Sequence, residues 1–192
     1  KNKKHYFSGL SFDSKKVKKN HVFFAIRGAN INGNKYIEEA IKKGATTIVS
    51  NLNFEGKKNG VLYINTNNSR KLLSEIASKF YKSKPLNLVA VTGTNGKSSV
   101  ADFYYQILKL NNKSVASIGT LGIKTSRNLL KISNTTLDSV SLNKHLQKIK
   151  GQNIKNVILE ASSHGLKQHR LDGLNFKIGI FTNLSRDHLD YH

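Results

Sequence analysis

The sequence contains no cysteine, no methionine and no tryptophan, and a single proline, Pro85. Without cysteine there are no disulfide staples, no thiolate zinc site and no cysteine nucleophile. Acidic residues are scarce: 11 Asp and Glu stand against 32 Lys and Arg, a formal net charge of +21 over 192 residues. Apolar stretches are short, as in residues 22–26, whereas a bilayer-spanning helix needs about 20 apolar residues. The basic opening Lys1–Lys4 leads into no apolar run of the secretory type. A cytoplasmic protein is therefore expected. The chain opens at Lys1 with no methionine anywhere, and it reads as a piece of a longer chain.

Hydrophobic residues make up 38% of the chain, enough for a genuine core and against wholesale disorder. The length suits one domain or two small ones. The positive charge raises the question of a polyanion partner. Only five of the basic residues are Arg (Arg27, Arg70, Arg127, Arg170 and Arg186), and the Lys residues are scattered with no long block of one sign. This pattern favours a solvated basic surface over a nucleic-acid-binding face.

Hydrophobic periodicity predicts alternating strands and helices. Residues 21–26, 45–50 and 61–65 read as strands, and 35–43 and 69–82 as amphipathic helices, with Gly44 closing the first. The stretch Lys82-Ser83-Lys84-Pro85 is polar and ends in the only proline, so a domain boundary is placed there. The rhythm resumes with strands at 87–92, 114–118, 156–160 and 176–181, helices at 98–111 and 137–151, and a hairpin within 121–132. Strands alternating with crossover helices imply an α/β fold with a mostly parallel sheet, whose ligand sites lie at the carboxyl ends of the strands.

The strongest chemical signal is Val91-Thr92-Gly93-Thr94-Asn95-Gly96-Lys97-Ser98. A strand feeds a glycine-containing loop, and Gly-Lys-Ser opens a helix, the arrangement that cradles phosphates with backbone N–H groups. Lys97 adds a point charge for phosphate, and Ser98 offers a hydroxyl to Mg²⁺. The ordinary P-loop pattern places glycine where this chain has Val91.

Three further signals follow apolar strands. Strand 156–160 ends in Glu160, a candidate Mg²⁺-holding carboxylate. Residues 161–170 (ASSHGLKQHR) read as a loop facing the ligand cleft, with Gln168 and Arg170 suited to a carboxylate or sugar hydroxyls. A Ser–His hydrolase is set aside because no G-x-S-x-G elbow is present. The segment 181–192 (FTNLSRDHLDYH) brings His and Asp residues that suit zinc in principle and Mg²⁺ with ATP better. No Asn-Lys-x-Asp motif occurs, against a GTPase.

Thr92–Ser98 (TGTNGKS), Asn134-Thr135-Thr136, Glu160–Arg170 and Phe181–His192 together resemble the Mur ligase family. The likeness is nearest to members that add the third amino acid to UDP-N-acetylmuramoyl-L-alanyl-D-glutamate. It covers nearly the whole chain, weakly in 1–84 and strongly in 87–192. The resemblance implies two domains. Residues 1–84 would be a small α/β domain binding the uridine nucleotide. Residues 85–192 would be part of a P-loop ATPase domain, with its remainder and a C-terminal domain absent. It implies an ATP-dependent amide ligase of peptidoglycan synthesis working through an acyl phosphate, with a diamino acid (meso-diaminopimelate or L-lysine) as the incoming amine. Residues 1–192 alone are not expected to ligate, and a monomer is expected.

By the same resemblance, Gly93, Thr94, Asn95, Gly96, Lys97 and Ser98 bind ATP, and Ser98, Glu160 and His188 hold Mg²⁺. Asn134, Thr135, Thr136, Ser162, Gln168 and Arg170 contact the muramoyl-dipeptide. Lys97, Glu160 and His188 form the catalytic set. Phe12-Asp13-Ser14 resembles the uridine-binding L-D-S-R segment, with Lys15 in place of Arg. Ala29-Asn30-Ile31 stands where some members carry His-Gln-Ala, and places Asn30 in the pocket. A folylpolyglutamate synthase shares this type of loop, but it typically begins near it and lacks the preceding domain.

Overall fold

Short apolar runs rich in Val, Ile and Phe form most strands of two mostly parallel sheets. The computed structural model describes residues 6–28, 31–132 and 134–185. By internal contacts the chain divides into two units, the first reaching Leu73 and the second beginning at Ser74. In the first unit the elements are β1 (Gly9–Ser11), β2 (His21–Phe24), α1 (Ile37–Lys42), β3 (Ala45–Ser50), β4 (Gly56–Lys58) and β5 (Val61–Asn65). The sheet order is β1-β2-β3-β5-β4, parallel except for β4, which runs antiparallel to β5. Phe23, Ala25, Ile37, Ala40 and Ile48 form its core. Gly44 sits at φ +100°, the left-handed residue that stops the helical run before β3.

Helix α2 (Ser69–Phe80) carries Leu73 in the first unit and buries Ala77 in the second. Its buried face also includes Ser74 and Ser78, whose hydroxyls donate to the carbonyls of His169 and Gly173. The apolar periodicity that predicts the 69–82 helix runs through Leu72, Leu73, Ile76, Ala77, Phe80 and Tyr81 and does not register this polar pair. The helix ends at Phe80, earlier than predicted, where Lys84 Nζ donates to the carbonyls of Ser78 and Tyr81 ahead of Pro85.

The second unit holds β6 (Asn87–Thr92), α3 (Lys97–Leu110), β7 (Val115–Gly119), β8 (Gly122–Lys124) and β9 (Leu129–Leu130). It continues with α4 (Ser139–Gly151), β10 (Asn156–Glu160), α5 (Ser163–Lys167) and β11 (Ile178–Phe181). The sheet order is β11-β6-β10-β7-β8-β9, with the first four strands parallel and the predicted hairpin closing one edge. Successive side chains of a strand point to opposite faces. Val157 and Leu159 therefore join Leu142, Leu146 and Ile149 of α4 in one core, while Ile158 joins Val89, Val91 and Ala101 of α3 in another. Both faces are covered, which is why β6 and β10 read as continuous apolar runs.

Strands β1 and β4 were not anticipated; each is only three residues long. Residues 161–170, expected as a loop, begin with α5, capped by Ser162 Oγ accepting from Gly165 N–H at 3.1 Å. Apolar spacing in the 98–111 helix puts Val100, Phe103, Tyr104, Ile107 and Leu108 on one face, and the structure corrects that face. Ala101 and Tyr105 are buried, with Val100 and Tyr104 packed beside them, but Phe103 and Ile107 are exposed. Small Ala101 lets the helix approach the sheet, and that rotation turns 103 and 107 outward. Among the described residues, no helix is long and apolar enough to cross a membrane.

On α4, burial pushes the His145 imidazole below its usual value, helped by Lys148 and Lys144 and opposed by Asp138. The unfolded chain thus binds the proton more readily than the folded one. The stability contribution is present above the unfolded value near 6.5 and is lost as pH falls below it. Thermal melts should show a drop in Tm between pH 7.5 and 5.5 that is smaller in His145→Gln; an identical drop in both proteins would refute this assignment.

Candidate active site

Strands β6, β10 and β11 of the second unit lead into the segments that the sequence singled out. After β6 the chain turns sharply at Gly93, at φ +132°, and enters α3 through Gly96, at φ +83°. The loop between them is clasped by the residues after β11. Thr182 Oγ1 donates to Asn95 O at 2.6 Å, Asn95 N–H donates to Asn183 Oδ1 at 3.0 Å, and Thr94 N–H donates to Asn183 O at 3.0 Å. Ser185 N–H completes the clasp by donating to Thr94 Oγ1 at 2.9 Å. A Cβ at position 93 would lie 2.1 Å from Thr182 Oγ1, so only glycine fits there. Lys97 Nζ folds back on the loop, donating to Gly93 O at 2.6 Å and Thr94 O at 2.8 Å. Beside it lies a cleft of about 200 Å³ whose walls include Gly93, Thr94, Lys97, Ser162, Phe181 and Ser185.

Glu160, at the end of β10, is only 3% exposed. Its Oε2 accepts from Ser98 Oγ at 2.9 Å and from Thr120 Oγ1 at 3.0 Å, and its Oε1 accepts from Thr120 N–H at 3.0 Å. A buried carboxylate is stable only when its oxygens are supplied with donors in this way. Gly119 makes room for it, since a Cβ there would lie 2.1 Å from Oε1.

The substrate segment predicted at 134–136 lies next to this carboxylate. Thr136 Oγ1 donates to Glu160 O at 2.9 Å and accepts from Ser162 N–H at 2.9 Å, with Ser162 Oγ 3.0 Å away. Thr135 Oγ1 lies 3.1 Å from Thr120 Oγ1. Arg170 donates to Thr136 O and, through Nη2, to Gln168 Oε1 at 2.8 Å. The structure thus gathers Gly93, Thr94, Asn95, Gly96, Lys97, Ser98, Thr135, Thr136, Glu160, Ser162, Gln168 and Arg170 at one end of the sheet. Asn134 is exposed at the start of that segment. Asn30 and His188 lie outside the described residues.

Ser98 Oγ and Glu160 Oε2 are adjacent oxygen donors of the kind a hard cation prefers, and they fit Mg²⁺. Among the described residues, no three His, Asp or Glu side chains cluster as an all-protein metal cage. That is compatible with Mg²⁺, which usually takes one or two carboxylates plus phosphate oxygens and water.

In the first unit, Phe12 is exposed after β1, and Ser14 is buried, donating to Glu39 Oε2 at 2.7 Å. That hydroxyl and Lys43 hold the Glu39 carboxyl below its usual range, Lys43 contributing more. A separate cleft of about 290 Å³ opens past the ends of β2, β3 and β5, lined by Arg27, Arg70, Asn51, Asn67 and Asn68 among others.

Sequence reasoning missed Gly119, Thr120, Thr182 and Asn183. The signal for the first pair was present: Gly119-Thr120 follows an apolar parallel strand, as Glu160 does. The second pair lay within a quoted motif, and only the fold shows it gripping the loop after β6. Gly93→Ala should destabilise the protein by at least about 2 kcal/mol, from its positive φ and the clash with Thr182. Urea denaturation checks this, and an unchanged midpoint would refute the clasp.

Comparison with known proteins agrees with this geometry. Residues 91–192 match the Mur ligase middle domain, and residues 6–81 match the Mur ligase family catalytic domain. A UDP-N-acetylmuramoyl-L-alanyl-D-glutamate–2,6-diaminopimelate ligase from Zymomonas mobilis is 44% identical over 184 residues, 96% of this chain and 37% of that protein. A ligase of the same name from Rickettsia montanensis is 43% identical over 194 residues, covering 98% of this chain and 40% of the relative. A solved structure of a ligase of that name superposes with a TM-score of 0.80 at 32% identity, covering 97% of this chain and 38% of the other. The chain thus spans about two fifths of the length of these relatives. With both family models matched in order along the sequence, the chain belongs to the Mur ligase family.

Proposed function

We propose that this chain is the nucleotide-binding part of an ATP-dependent ligase. The ligase would join a diamino acid, 2,6-diaminopimelate, to the D-glutamate of UDP-N-acetylmuramoyl-L-alanyl-D-glutamate. The observation that carries the reading is the convergence of the glycine loop, Lys97, Ser98 and the buried Glu160 with Thr135, Thr136, Ser162 and Arg170. The names of the relatives supply the substrates. In this reading residues 1–84 take the uridine nucleotide through Phe12, Ser14 and Asn30, with the Arg27–Arg70 cleft offered to its anionic groups. Residues 85–192 hold ATP, the protein acts as a monomer in the cytoplasm, and the basic surface serves no nucleic acid.

A carboxylate resists attack by an amine because its charge and resonance make it a poor electrophile. The chemistry therefore begins with the D-glutamate side-chain carboxylate attacking the γ-phosphorus of ATP. An O–P bond forms, the bond to ADP breaks, and an acyl phosphate results. The amine then attacks the acyl carbon, the C–N bond forms, phosphate leaves with the bonding pair, and the amine loses a proton. The N–H groups of Thr94 and Asn95 are held by Asn183, so the backbone N–H groups where Gly96, Lys97 and Ser98 open α3, with the Lys97 ammonium, supply positive charge to the phosphates, and Lys97 must leave the loop carbonyls to do so. Arg170 and the hydroxyls of Thr135 and Ser162 orient the muramoyl-dipeptide. Ser98, Glu160 and His188 would hold Mg²⁺, which would neutralise charge on the transferring phosphoryl group.

The test is phosphate release by the full-length ligase with UDP-N-acetylmuramoyl-L-alanyl-D-glutamate and either diaminopimelate or L-lysine. Release should require the nucleotide-sugar and diaminopimelate together. Lys97→Ala should lower kcat/KM roughly 10²–10³-fold, the range for removing one transition-state charge contact. Release indifferent to the nucleotide-sugar would overturn the reading.

A further inference from the structure

Thr120 is assigned no role by any motif, yet it makes two of the three hydrogen bonds to the Glu160 carboxylate. Its N–H holds Oε1 and its hydroxyl holds Oε2, so the two bonds fix the plane of the carboxylate as well as its position. The proton directions follow from valence. A carboxylate only accepts, so the single hydroxyl proton of Thr120 goes to Oε2. The 3.1 Å contact between the hydroxyls of Thr120 and Thr135 must therefore be donated by Thr135. The chain Thr135→Thr120→Glu160 runs one way, and Ser98 donates into the same carboxylate from the other side.

We infer that Thr120 is a positioning residue that orients Glu160 for a divalent cation. This rests on the proposed reading of Glu160 as a cation ligand. Of the two hydroxyls on Oε2, Ser98 is itself a candidate ligand, whereas Thr120 acts on the cation only through the carboxylate. Partners that orient a ligating carboxylate typically set metal affinity by 10–100-fold. Gly119 serves the same end, since it clears the space into which Thr120 holds the carboxylate.

The experiment titrates Mn²⁺ into the full-length ligase with ADP, reading free Mn²⁺ by electron paramagnetic resonance. It compares wild type, Glu160→Gln, Thr120→Val and Thr120→Ser. Thr120 is exposed, and valine keeps its shape and its N–H while deleting only the hydroxyl. Thr120→Val should raise the Mn²⁺ Kd about 10-fold, and Thr120→Ser, which restores the hydroxyl, should stay within about twofold of wild type. Wild-type affinity in Thr120→Val, or equal weakening in the serine variant, would overturn the inference while leaving Glu160 in place. Wild-type affinity in Glu160→Gln would remove the reading beneath it, and the inference with it.

Discussion

A carboxylate buried at a strand end is the constraint around which the second unit is arranged. Glu160 is almost wholly removed from water, which is costly unless donors replace the lost hydration. Two separate stretches provide or permit them: Ser98 at the start of α3, and Gly119-Thr120 at the end of β7, where Thr120 donates and the missing side chain of Gly119 leaves the room. The backbone carbonyl of the same residue is held by Thr136, just before α4. Removing one donor would leave a buried acceptor short, at a cost of about 1–3 kcal/mol. The ends of β6, β7 and β10 are therefore mutually registered by one side chain.

The departure from the ordinary P-loop has a packing explanation. Val91, where the common pattern has glycine, is fully buried in β6 and packs with Val89, Ala101 and Ile158. The strand continues to Thr92, and the tight backbone begins only at Gly93. A longer loop would have to hold itself open. This one is short and is braced by Thr182, Asn183 and Ser185 after β11. Position 91 is thus core, and the conformational freedom sits at Gly93 and Gly96.

What was legible in the sequence follows from which forces are local. Strands β3, β5, β6 and β10 were placed at their observed bounds, because each is a β-branched apolar run ended by a polar or acidic residue. The glycine loop, Glu160 and the Thr135–Thr136 segment were legible as motifs. Features set by distant partners were not. The buried faces of α2 and α3 depend on what they meet, so Ser74 and Ser78 lie inside while Phe103 and Ile107 lie outside. Thr120 and Thr182 act on residues 40 and 87 positions away, distances that no local periodicity encodes.

The charge of the chain and the charge of its site are separate matters. Several described acids are spent in ion pairs: Asp13 with Lys16, Glu39 with Lys43 and Asp102 with Lys124. Among the described residues, the cations of the cluster at the strand ends are Lys97 and Arg170, and both are turned onto carbonyl oxygens. Cations so held are released to an incoming anion at little electrostatic cost, since only neutral acceptors are given up. The remaining lysines, spread over the surface, act at longer range. A net field of this sign raises the rate at which any phosphorylated ligand meets the protein, and salt screens it within about 10 Å. Specific recognition must then come from the two site cations and the hydroxyls around Glu160, where distance and direction are fixed by the fold.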